Sequence, residues 1–363
     1  MSSVALPKGV VRVPLTRAPF GVENKKNSFY VAIKVLPPAS VTSPAAAAGP
    51  DTARTGTGSH VCQVDTGSCG IVVPQTLFYV DGNTSGSLLP GVTKGSPAKV
   101  IYHPSSNDLN GFHYTVERLG VGVLDDGSCA FVCENATVIG AENVGPDQGM
   151  MGVGFGRPEL GTNVFLNVPG MSDGTVPPSF LLTTQGIWLG YDKEDLPNAS
   201  AFAFQTLTPE TADGAKVPNT PAWNTPNAVV TLSSLTNPAS GQYPGTGLLD
   251  TGLDLMMLRL TAPDWQQNFP GTAVTIAWGN AGSGAVLQYQ FIVGPTEEVK
   301  LGSGDALTKV FTVSGPSSMK PMYIVPLGEG DGNFVNTGIN VIQGADYYFN
   351  ADLGLIGFAQ TPG

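Results

Sequence analysis

The sequence of 363 residues has few charged side chains, and the basic ones are the scarcer kind. Only 12% of residues are charged, and 17 Lys and Arg against 28 Asp and Glu give a formal net charge of −11. Such a surface repels phosphate-rich partners, so nucleic-acid binding is not expected. When the carboxylates protonate at low pH, little positive charge remains to repel itself. The composition therefore suits an acidic environment, although an ordinary acidic surface explains it equally well.

Long apolar runs are also missing. No stretch approaches the roughly 20 apolar residues that a bilayer span requires, so we predict no membrane span. The N-terminus has no basic, apolar, small-residue leader, and we expect any secretion signal to be missing or already removed.

Stretches rich in Ala, Leu, Glu and Lys are absent as well, which argues against a helical protein. The chain has 47 Gly and 30 Pro, with Val, Thr, Ile and Phe spread throughout, and this predicts a mostly β structure with many turns. The length exceeds the size at which one core keeps growing, so two lobes are expected. The best helix candidate is the short "APDWQQNFP" (residues 262–270), with Asp near its start and Pro at its end.

Cysteine is scarce, with only Cys62, Cys69, Cys129 and Cys133, all in the first half of the chain. Their C-x6-C and C-x3-C spacings are not the usual pairs of a zinc knuckle, so we favour two disulfides over a zinc site. Three connectivities are possible, and the sequence does not choose between them. Disulfides would imply an oxidising compartment, and we expect a secreted, extracellular or periplasmic protein.

The scarcity of histidine weakens several catalytic schemes. His60, His103 and His113 all precede "GMSDG" (residues 170–174), whereas a serine nucleophile elbow expects its His downstream. No recognisable ligand spacing joins these histidines to Cys62 in a metal site. The Gly-rich segments lack a G-x-G-x-x-G register followed by a helix, so nucleotide binding is not expected. We therefore predict no metal and no cofactor.

Two short stretches each place an aspartate in a tight turn beside strand-forming residues. They are "CQVDTGSCGIVVP" (residues 62–74), with Asp65, and "GLLDTGLDLMML" (residues 247–258), with Asp250. Two carboxylates about 3 Å apart cannot both ionise and share one proton. Such a pair can act as general base on a water and as general acid towards an amide. Gly allows the turns to approach closely, and the Thr hydroxyls can connect the two loops.

At this point the chain resembles the pepsin-like aspartic peptidases, over nearly its whole length. "VDTGS" and "LLDTG" are similar to the two catalytic loops of that family, and "VIYHPSSNDLNG" is similar to the flap, with Tyr102 at the flap tyrosine. "GMMGVGFG" resembles the apolar-apolar-Gly element beside the first loop. "GIWLGYD" resembles the strand that ends the first lobe, and "LGLIGFA" the closing strand.

The chain also departs from the family pattern. Leu253 replaces the hydroxyl residue that follows the second Asp-Thr-Gly, and Val72 stands where the tryptophan partner of the flap tyrosine is expected. His103 and Pro104 replace the familiar Gly after that tyrosine. The second apolar-apolar-Gly element is "VNTG" (335–338) or "VIQG" (341–344), and spacing favours the first. These departures indicate a divergent branch of the A1-type family, for which a microbial source is one interpretation.

The resemblance implies an all-β, bilobal pepsin-like acid protease fold, with two β-barrel-like lobes and a central cleft. Residues 1–195 would carry the first acid and the flap, and residues 196–363 the second acid. The implied activity is that of an aspartic endopeptidase on peptide or protein substrates, in a monomer. The alternative is a catalytically weak or inactive pepsin-like binding or inhibitor protein. The implied site comprises catalytic Asp65 and Asp250, the supporting residues Thr66, Gly67, Ser68, Thr251 and Gly252, and Tyr102 of the flap.

Overall fold

The computed structural model describes most of the chain. The described ranges are residues 6–20, 27–39, 58–102, 107–145, 148–155, 162–210, 222–279, 284–301, 307–328 and 330–361. In these ranges no helix is long and apolar enough to cross a membrane.

The described chain is built from β-strands joined by turns and by 3₁₀ segments of three to five residues. These segments are Gln75–Phe78, Val80–Gly82, Val164–Leu166, Ala199–Ala201 and Ile339–Gln343. The strands are β1 Val11–Val13, β2 Tyr30–Val35, β3 His60–Asp65, β4 Cys69–Pro74, β5 Val92–Tyr102, β6 Asn107–Val123, β7 Cys129–Ala141, β8 Met150–Val153, β9 Ser179–Thr183, β10 Gly186–Leu189, β11 Phe202–Thr206, β12 Asn227–Ser233, β13 Gly241–Leu248, β14 Met256–Arg259, β15 Ala273–Trp278, β16 Leu287–Lys300, β17 Leu307–Ser314, β18 Tyr323–Pro326, β19 Phe334–Asn336, β20 Ala345–Asn350 and β21 Leu355–Gln360.

Residue patterns along the strands explain which faces are buried. Buried and exposed side chains alternate at the start of β16. Leu287, Tyr289 and Phe291 face the core, whereas Gln288 and Gln290 face solvent, as expected of a strand with one solvent-exposed face. β4 and β9 are instead buried along their whole length. Their continuous apolar character is typical of strands covered on both faces.

The first lobe is a seven-stranded sheet in the order β2-β3-β8-β4-β7-β6-β5. β8 lies between β3 and β4, parallel to β3 and antiparallel to β4. Gly152 of β8 is therefore opposite both Asp65 and Gly70. A Cβ on Gly152 would lie 2.6 Å from the backbone of Cys69, so only glycine fits here.

The second lobe is a closed barrel in the order β12-β13-β19-β14-β18-β17-β16-β15. β19 lies between β13 and β14, parallel to the first and antiparallel to the second. This is the position of β8 in the first lobe. β19 contains the first two residues of the segment 335–338, and this segment is therefore the second apolar-apolar-Gly element. The two lobes therefore repeat one strand order around their Asp-Thr-Gly turns.

A third sheet contains strands from the start, middle and end of the chain, in the order β1-β10-β9-β20-β21-β11. Its inner face is aromatic: Phe180 packs at ring-centroid distances of 6.1 Å from Tyr347 and 5.4 Å from Phe349. Phe155, which follows β8, packs edge-on against Phe349 at 5.3 Å. The first lobe is thus packed directly on this sheet.

The predicted helix at residues 262–270 is wrong. The segment forms a series of turns, because Asp264 and Asn268 adopt left-handed φ angles of 55° and 53°. A left-handed residue interrupts the α-helical hydrogen-bond ladder. Trp265 and Phe269 are nevertheless buried and pack edge-on against each other, with ring centroids 5.1 Å apart.

The predicted disulfides are also not formed, since none of the four cysteines is bonded to another. Cys129 and Cys133 lie four residues apart on β7, roughly 13 Å at the rise of a β-strand, whereas a disulfide needs Cα atoms within about 7 Å. Cys62 and Cys69 lie on β3 and β4, which are separated by β8. Burial raises the pKa of the Cys62 thiol and raises that of Cys133 to about 12.

We expect the unreduced, denatured protein to react with four equivalents of a chromogenic thiol reagent. The native protein should react with fewer and more slowly, because buried thiols with raised pKa values form little thiolate. Prior reduction should leave the denatured count unchanged. A count of two or none before reduction would contradict the free thiols.

Candidate active site

Asp65 is the last residue of β3, and the turn after it supplies its hydrogen-bond donors. The Asp65 side chain is buried, at 5% exposure. The Gly67 backbone N–H donates to Oδ1 at 2.7 Å, and the Ser68 hydroxyl donates to Oδ2 at 2.5 Å. These two hydrogen bonds hold the carboxyl group in one orientation.

Asp250 lies two residues beyond β13 in a turn of the same form, but with different support. It is 7% exposed, and the Gly252 backbone N–H donates to Oδ1 at 2.8 Å. Leu253 occupies the position equivalent to Ser68 and supplies no side-chain donor. The Asn336 side chain of β19 donates instead, from Nδ2 to Asp250 Oδ2 at 2.6 Å.

The two carboxyl groups lie close enough to interact, and this interaction raises the pKa of Asp250. The glycines of the turns permit this close approach: a Cβ on Gly252 would lie 2.7 Å from Asp65 Cγ, and one on Gly67 would overlap the Asp250 carboxyl group. Each Asp-Thr-Gly glycine is therefore required by the opposite acid, which explains why the sequence has Gly at both positions.

The two threonines connect the loops through four reciprocal hydrogen bonds. Thr66 Oγ1 donates to the Leu249 carbonyl at 2.6 Å and accepts from the Thr251 N–H at 3.0 Å. Thr251 Oγ1 donates to the Val64 carbonyl at 2.8 Å and accepts from the Thr66 N–H at 3.1 Å. We call these bonds the threonine bridge. Both side chains are buried, so each hydroxyl satisfies backbone groups that water does not reach.

The pKa of Asp250 is raised well above the ordinary range of an aspartate. Burial is the largest cause, followed by the negative charge of Asp65 and the hydrogen bond with it. The hydrogen bonds from Asn336 and the Gly252 N–H oppose the rise. A buried, coupled acid pair of this kind retains a proton at pH values where an isolated aspartate is ionised.

Tyr102, the last residue of β5, lies near Asp65. Burial, and then the charges of Asp65 and Cys62, raise the pKa of its phenol. The ring packs on an apolar cluster that includes Val72 and Val100, so Val72 lies beside it in place of the expected tryptophan. Of the predicted hairpin tip "HPSSNDLNG" (residues 103–111), residues 103–106, including His103, lie outside the described residues, whereas residues 107–111 belong to β6.

Three side chains at the site were not singled out by the sequence. Asn336 binds Asp250, Gln63 Nε2 donates to the Gly252 carbonyl at 2.9 Å, and Ser28 Oγ donates to the Thr251 carbonyl at 3.0 Å. Gln63 precedes Asp65 by two residues, and Asn336 lies inside the segment "VNTG". The available signal was a polar side chain two positions before the acid for Gln63, and a polar side chain within the expected apolar-apolar-Gly element for Asn336.

The arrangement supports proton transfer without a metal ion. A buried acid pair that shares a proton can remove one proton from a water and deliver another to a leaving group. Among the described residues, no group of three or more His, Cys, Asp or Glu side chains could hold a metal ion.

Replacing either bridging threonine by valine should destabilise the protein. Thr66→Val leaves the Thr251 N–H without an acceptor, and Thr251→Val leaves the Thr66 N–H without one. Each buried unsatisfied group should lower the free energy of unfolding by about 1–3 kcal/mol. Urea denaturation measures the loss, and the double variant should lose less than the sum because the loops share one contact. Thr16→Val, which removes an exposed 3.3 Å bond, is the control and should stay within about 0.5 kcal/mol. Equal losses for all three variants would contradict the bridge.

Asp250→Asn should change how stability depends on pH. The pKa of Asp250 is higher in the folded than in the unfolded state. Between these two pKa values the folded protein holds a proton that the unfolded chain has released, so stability falls as pH rises through this range. The variant should therefore gain unfolding free energy relative to the parent protein at pH 7 more than at pH 3. Asp173→Asn is the control, and its effect on the pH dependence of stability should have the opposite sign, because hydrogen bonds from Thr175 lower the pKa of Asp173. Identical pH slopes for parent and Asp250→Asn would refute this.

Comparison with known proteins tests the fold. No family model matches the sequence, and no curated protein is similar to it in sequence. The structure is similar to the crystal structure of aspartic proteinase from Irpex lacteus, with a TM-score of 0.51 and 15% identity over 97% of each chain. At 15% identity this similarity is evidence for the fold alone. It confirms the all-β, bilobal pepsin-like fold expected from the sequence.

Proposed function

We propose that the protein is an aspartic endopeptidase that hydrolyses internal peptide bonds at acid pH. The observation that carries the proposal is the buried, interacting pair of Asp65 and Asp250, each at 7% exposure or less. The lobes carrying them would divide at residues 195 and 196, between β10 and β11.

The reaction needs one ionised and one protonated acid. The ionised carboxylate removes a proton from a water as the water attacks the carbonyl carbon of the peptide bond. The protonated acid donates a hydrogen bond to the carbonyl oxygen and stabilises the negative charge that develops there. A proton then passes to the amine as the C–N bond breaks, so the pair returns to its singly protonated state.

The substrate would be an extended peptide with apolar side chains beside the cleaved bond. The hairpin of β5 and β6 ends at Tyr102, beside Asp65, and a strand-like peptide beneath it would use backbone hydrogen bonds as in β-augmentation. Apolar clusters on both lobes support this preference. One contains Val72 and Val100 near Tyr102, and the other contains Leu255 and Met257 near Leu253.

We also propose that the protein works as a monomer outside the cytoplasm, in an acidic extracellular or periplasmic medium. The scarcity of Lys and Arg supports this, because protonating the 28 acidic residues leaves only 17 basic ones and few His to repel one another. The free cysteines remove the redox argument for this location. The proposal therefore depends on charge alone.

The alternative is a pepsin-like binding or inhibitor protein without turnover. The loss of a hydroxyl at Leu253 favours it, because that hydroxyl would support the second acid. The bond from Asn336 to Asp250 weakens this argument, since the carboxyl group still receives a side-chain donor. Measurement of turnover distinguishes the two functions.

The purified protein should cleave a denatured protein substrate at acid pH, and a statine-type transition-state mimic should inhibit it. Asp65→Asn and Asp250→Asn should each lower kcat by about 10²–10⁴-fold or more, because neither proton-transfer cycle can then be completed. Asp173→Asn, which replaces an acid in a surface turn, is the matched control and should leave kcat unchanged. Peptide-product formation between pH 2 and 7 is the measurement.

The outcome separates the two functions directly. A folded parent protein that binds the statine-type mimic or a peptide yet cleaves nothing across that pH range is a binding protein. If it cleaves but neither Asn variant loses activity, the acid pair is not the catalytic centre.

A further inference from the structure

The turns that hold Asp65 and Asp250 bind one carboxyl oxygen in the same way. In each turn a glycine N–H donates to Oδ1, from Gly67 at 2.7 Å and from Gly252 at 2.8 Å. The other oxygen, Oδ2, receives a side-chain donor in both cases, and the two donors are residues of different kinds. The two acids therefore differ in how Oδ2 is supported.

In the first turn the side-chain donor is local. Ser68 follows Asp65 by three residues, and its hydroxyl donates to Asp65 Oδ2 at 2.5 Å. The residue three positions after Asp250 is Leu253, which packs against the apolar cluster around Leu255. A leucine side chain has no donor, so position 253 supplies no hydrogen bond to Asp250 Oδ2.

The donor to Asp250 comes instead from β19. In parallel register, Asn336 of this strand lies opposite Leu248, two residues before Asp250. The same position in the first lobe is Met150 of β8, opposite Gln63. Asn336 is therefore a polar residue where the repeated strand order has an apolar one, and it is buried at 4% exposure.

The orientation of the Asn336 amide is fixed by a second bond. Its Oδ1 accepts from the Gly338 backbone N–H at 3.1 Å, and its Nδ2 donates to Asp250 Oδ2 at 2.6 Å. Rotating the amide by 180° would place its NH₂ group against the Gly338 N–H, donor against donor. Asp250 therefore receives a donor whose own position is held by the backbone of the same segment.

We propose that Asn336 is a positioning residue that replaces the hydroxyl absent at position 253 and holds the Asp250 carboxyl group in the orientation that faces Asp65. Its effect on turnover rests on the proposed function, since an acid that moves protons must keep a fixed orientation towards its substrate. Asn336 and a hydroxyl at position 253 are then alternatives. Either one can serve Asp250 Oδ2, and the site requires one of them.

The same bond acts on the ionisation of Asp250. It favours the carboxylate and opposes the rise in pKa that burial and the charge of Asp65 cause. Because the pKa of Asp250 is raised, the loss of its proton is expected to set the upper pH limit of activity. The Tyr102 phenol interacts with Asp65 and with Cys62, and burial raises the pKa values of the phenol and of the thiol. Both groups are neutral from acid to neutral pH.

The first test is the pH profile of kcat/KM for Asn336→Leu. At the optimum kcat/KM should fall about tenfold or more, because a carboxyl group that is held less firmly is less often in the productive orientation. The basic limb of the profile, where activity falls as pH rises, should move up by about one pH unit, because the carboxylate of Asp250 has lost a donor. A basic limb that stays in place would overturn the proposal.

The second test is rescue at position 253. Adding Leu253→Ser to Asn336→Leu should return the basic limb to its original pH and restore most of kcat/KM, because Ser68 shows that a hydroxyl three residues after the acid reaches Oδ2. Leu253→Ala removes the same apolar packing without supplying a hydroxyl, so it should restore neither. Equal effects of serine and alanine would refute the replacement.

Folding supplies the readout if Asn336→Leu alone does not fold. The double variant with Leu253→Ser should then fold, whereas the double variant with Leu253→Ala should not. If both fold or neither folds, the hydroxyl does not replace Asn336.

Asn340→Leu is the control for a merely structural effect. Asn340 is equally buried and donates to the Asp254 carbonyl at 2.8 Å rather than to an acid of the pair. This variant should lower stability without moving the basic limb. A shift equal to that of Asn336→Leu would mean that the limb responds to general loosening, which contradicts a specific role for Asn336.

A measurement without turnover separates this role from the proposed function. In urea denaturation, Asn336→Leu should cost more unfolding free energy at pH 7 than at pH 3, since the folded pKa of Asp250 rises further while the unfolded pKa does not change. A shift of one pH unit corresponds to about 1.4 kcal/mol. Leu253→Ser should remove this difference between the two pH values, and Asn340→Leu should show none.

The two measurements together assign each outcome. An inactive protein that shows the pH-dependent loss and its removal by serine keeps the role of Asn336 and rejects the peptidase. An active enzyme in which Asn336→Leu costs the same at both pH values overturns the role of Asn336 and keeps the peptidase.

Discussion

The threonine bridge is the contact on which the arrangement of the site depends. Thr66 and Thr251 each use one hydroxyl to donate to a carbonyl and accept an N–H across the boundary between the loops. These bonds form in a buried region where the backbone groups have no access to water. They hold two acidic side chains close together in a buried site, where ionising both would be costly. The glycines of the turns provide the space for this approach.

Repetition of one strand order explains why the two halves of the site look alike, and the side chains explain why they differ. β8 and β19 occupy the same place beside their turns, yet Met150 in one becomes Asn336 in the other. The serine after the first turn becomes Leu253 after the second. The backbone therefore sets where the acids lie, whereas individual side chains set what each acid can do. A repeated strand order thus carries an acid pair whose two halves have different side-chain donors.

The sequence predicted the features that depend on local geometry and missed those that depend on distant partners. Asp-Thr-Gly turns, strands and the long hairpin follow from residue type and neighbours. The partner of Asp250 is 86 positions away, and a polar side chain in its own segment does not show which distant group it contacts. The prediction of disulfides was wrong because the spacing of cysteines along the chain does not determine how far apart they lie in the folded sheet. The expected helix at 262–270 failed because left-handed Asp264 and Asn268 favour turns that still bury Trp265 and Phe269.

The sheet of β1, β10, β9, β20, β21 and β11 has a consequence for the order of events at the ribosome. The residues of β9 and β10 are synthesised when about half of the chain is complete. β9 can pair with its neighbour β20 only after residues 345–350 have left the ribosome. Such non-local pairing is slow to form, and domains made first fold first. The first acid loop therefore exists well before its counterpart and before the sheet beneath both is complete. The two acids are therefore paired only late in synthesis, and under the proposed function a nascent chain would not yet be able to hydrolyse a peptide bond.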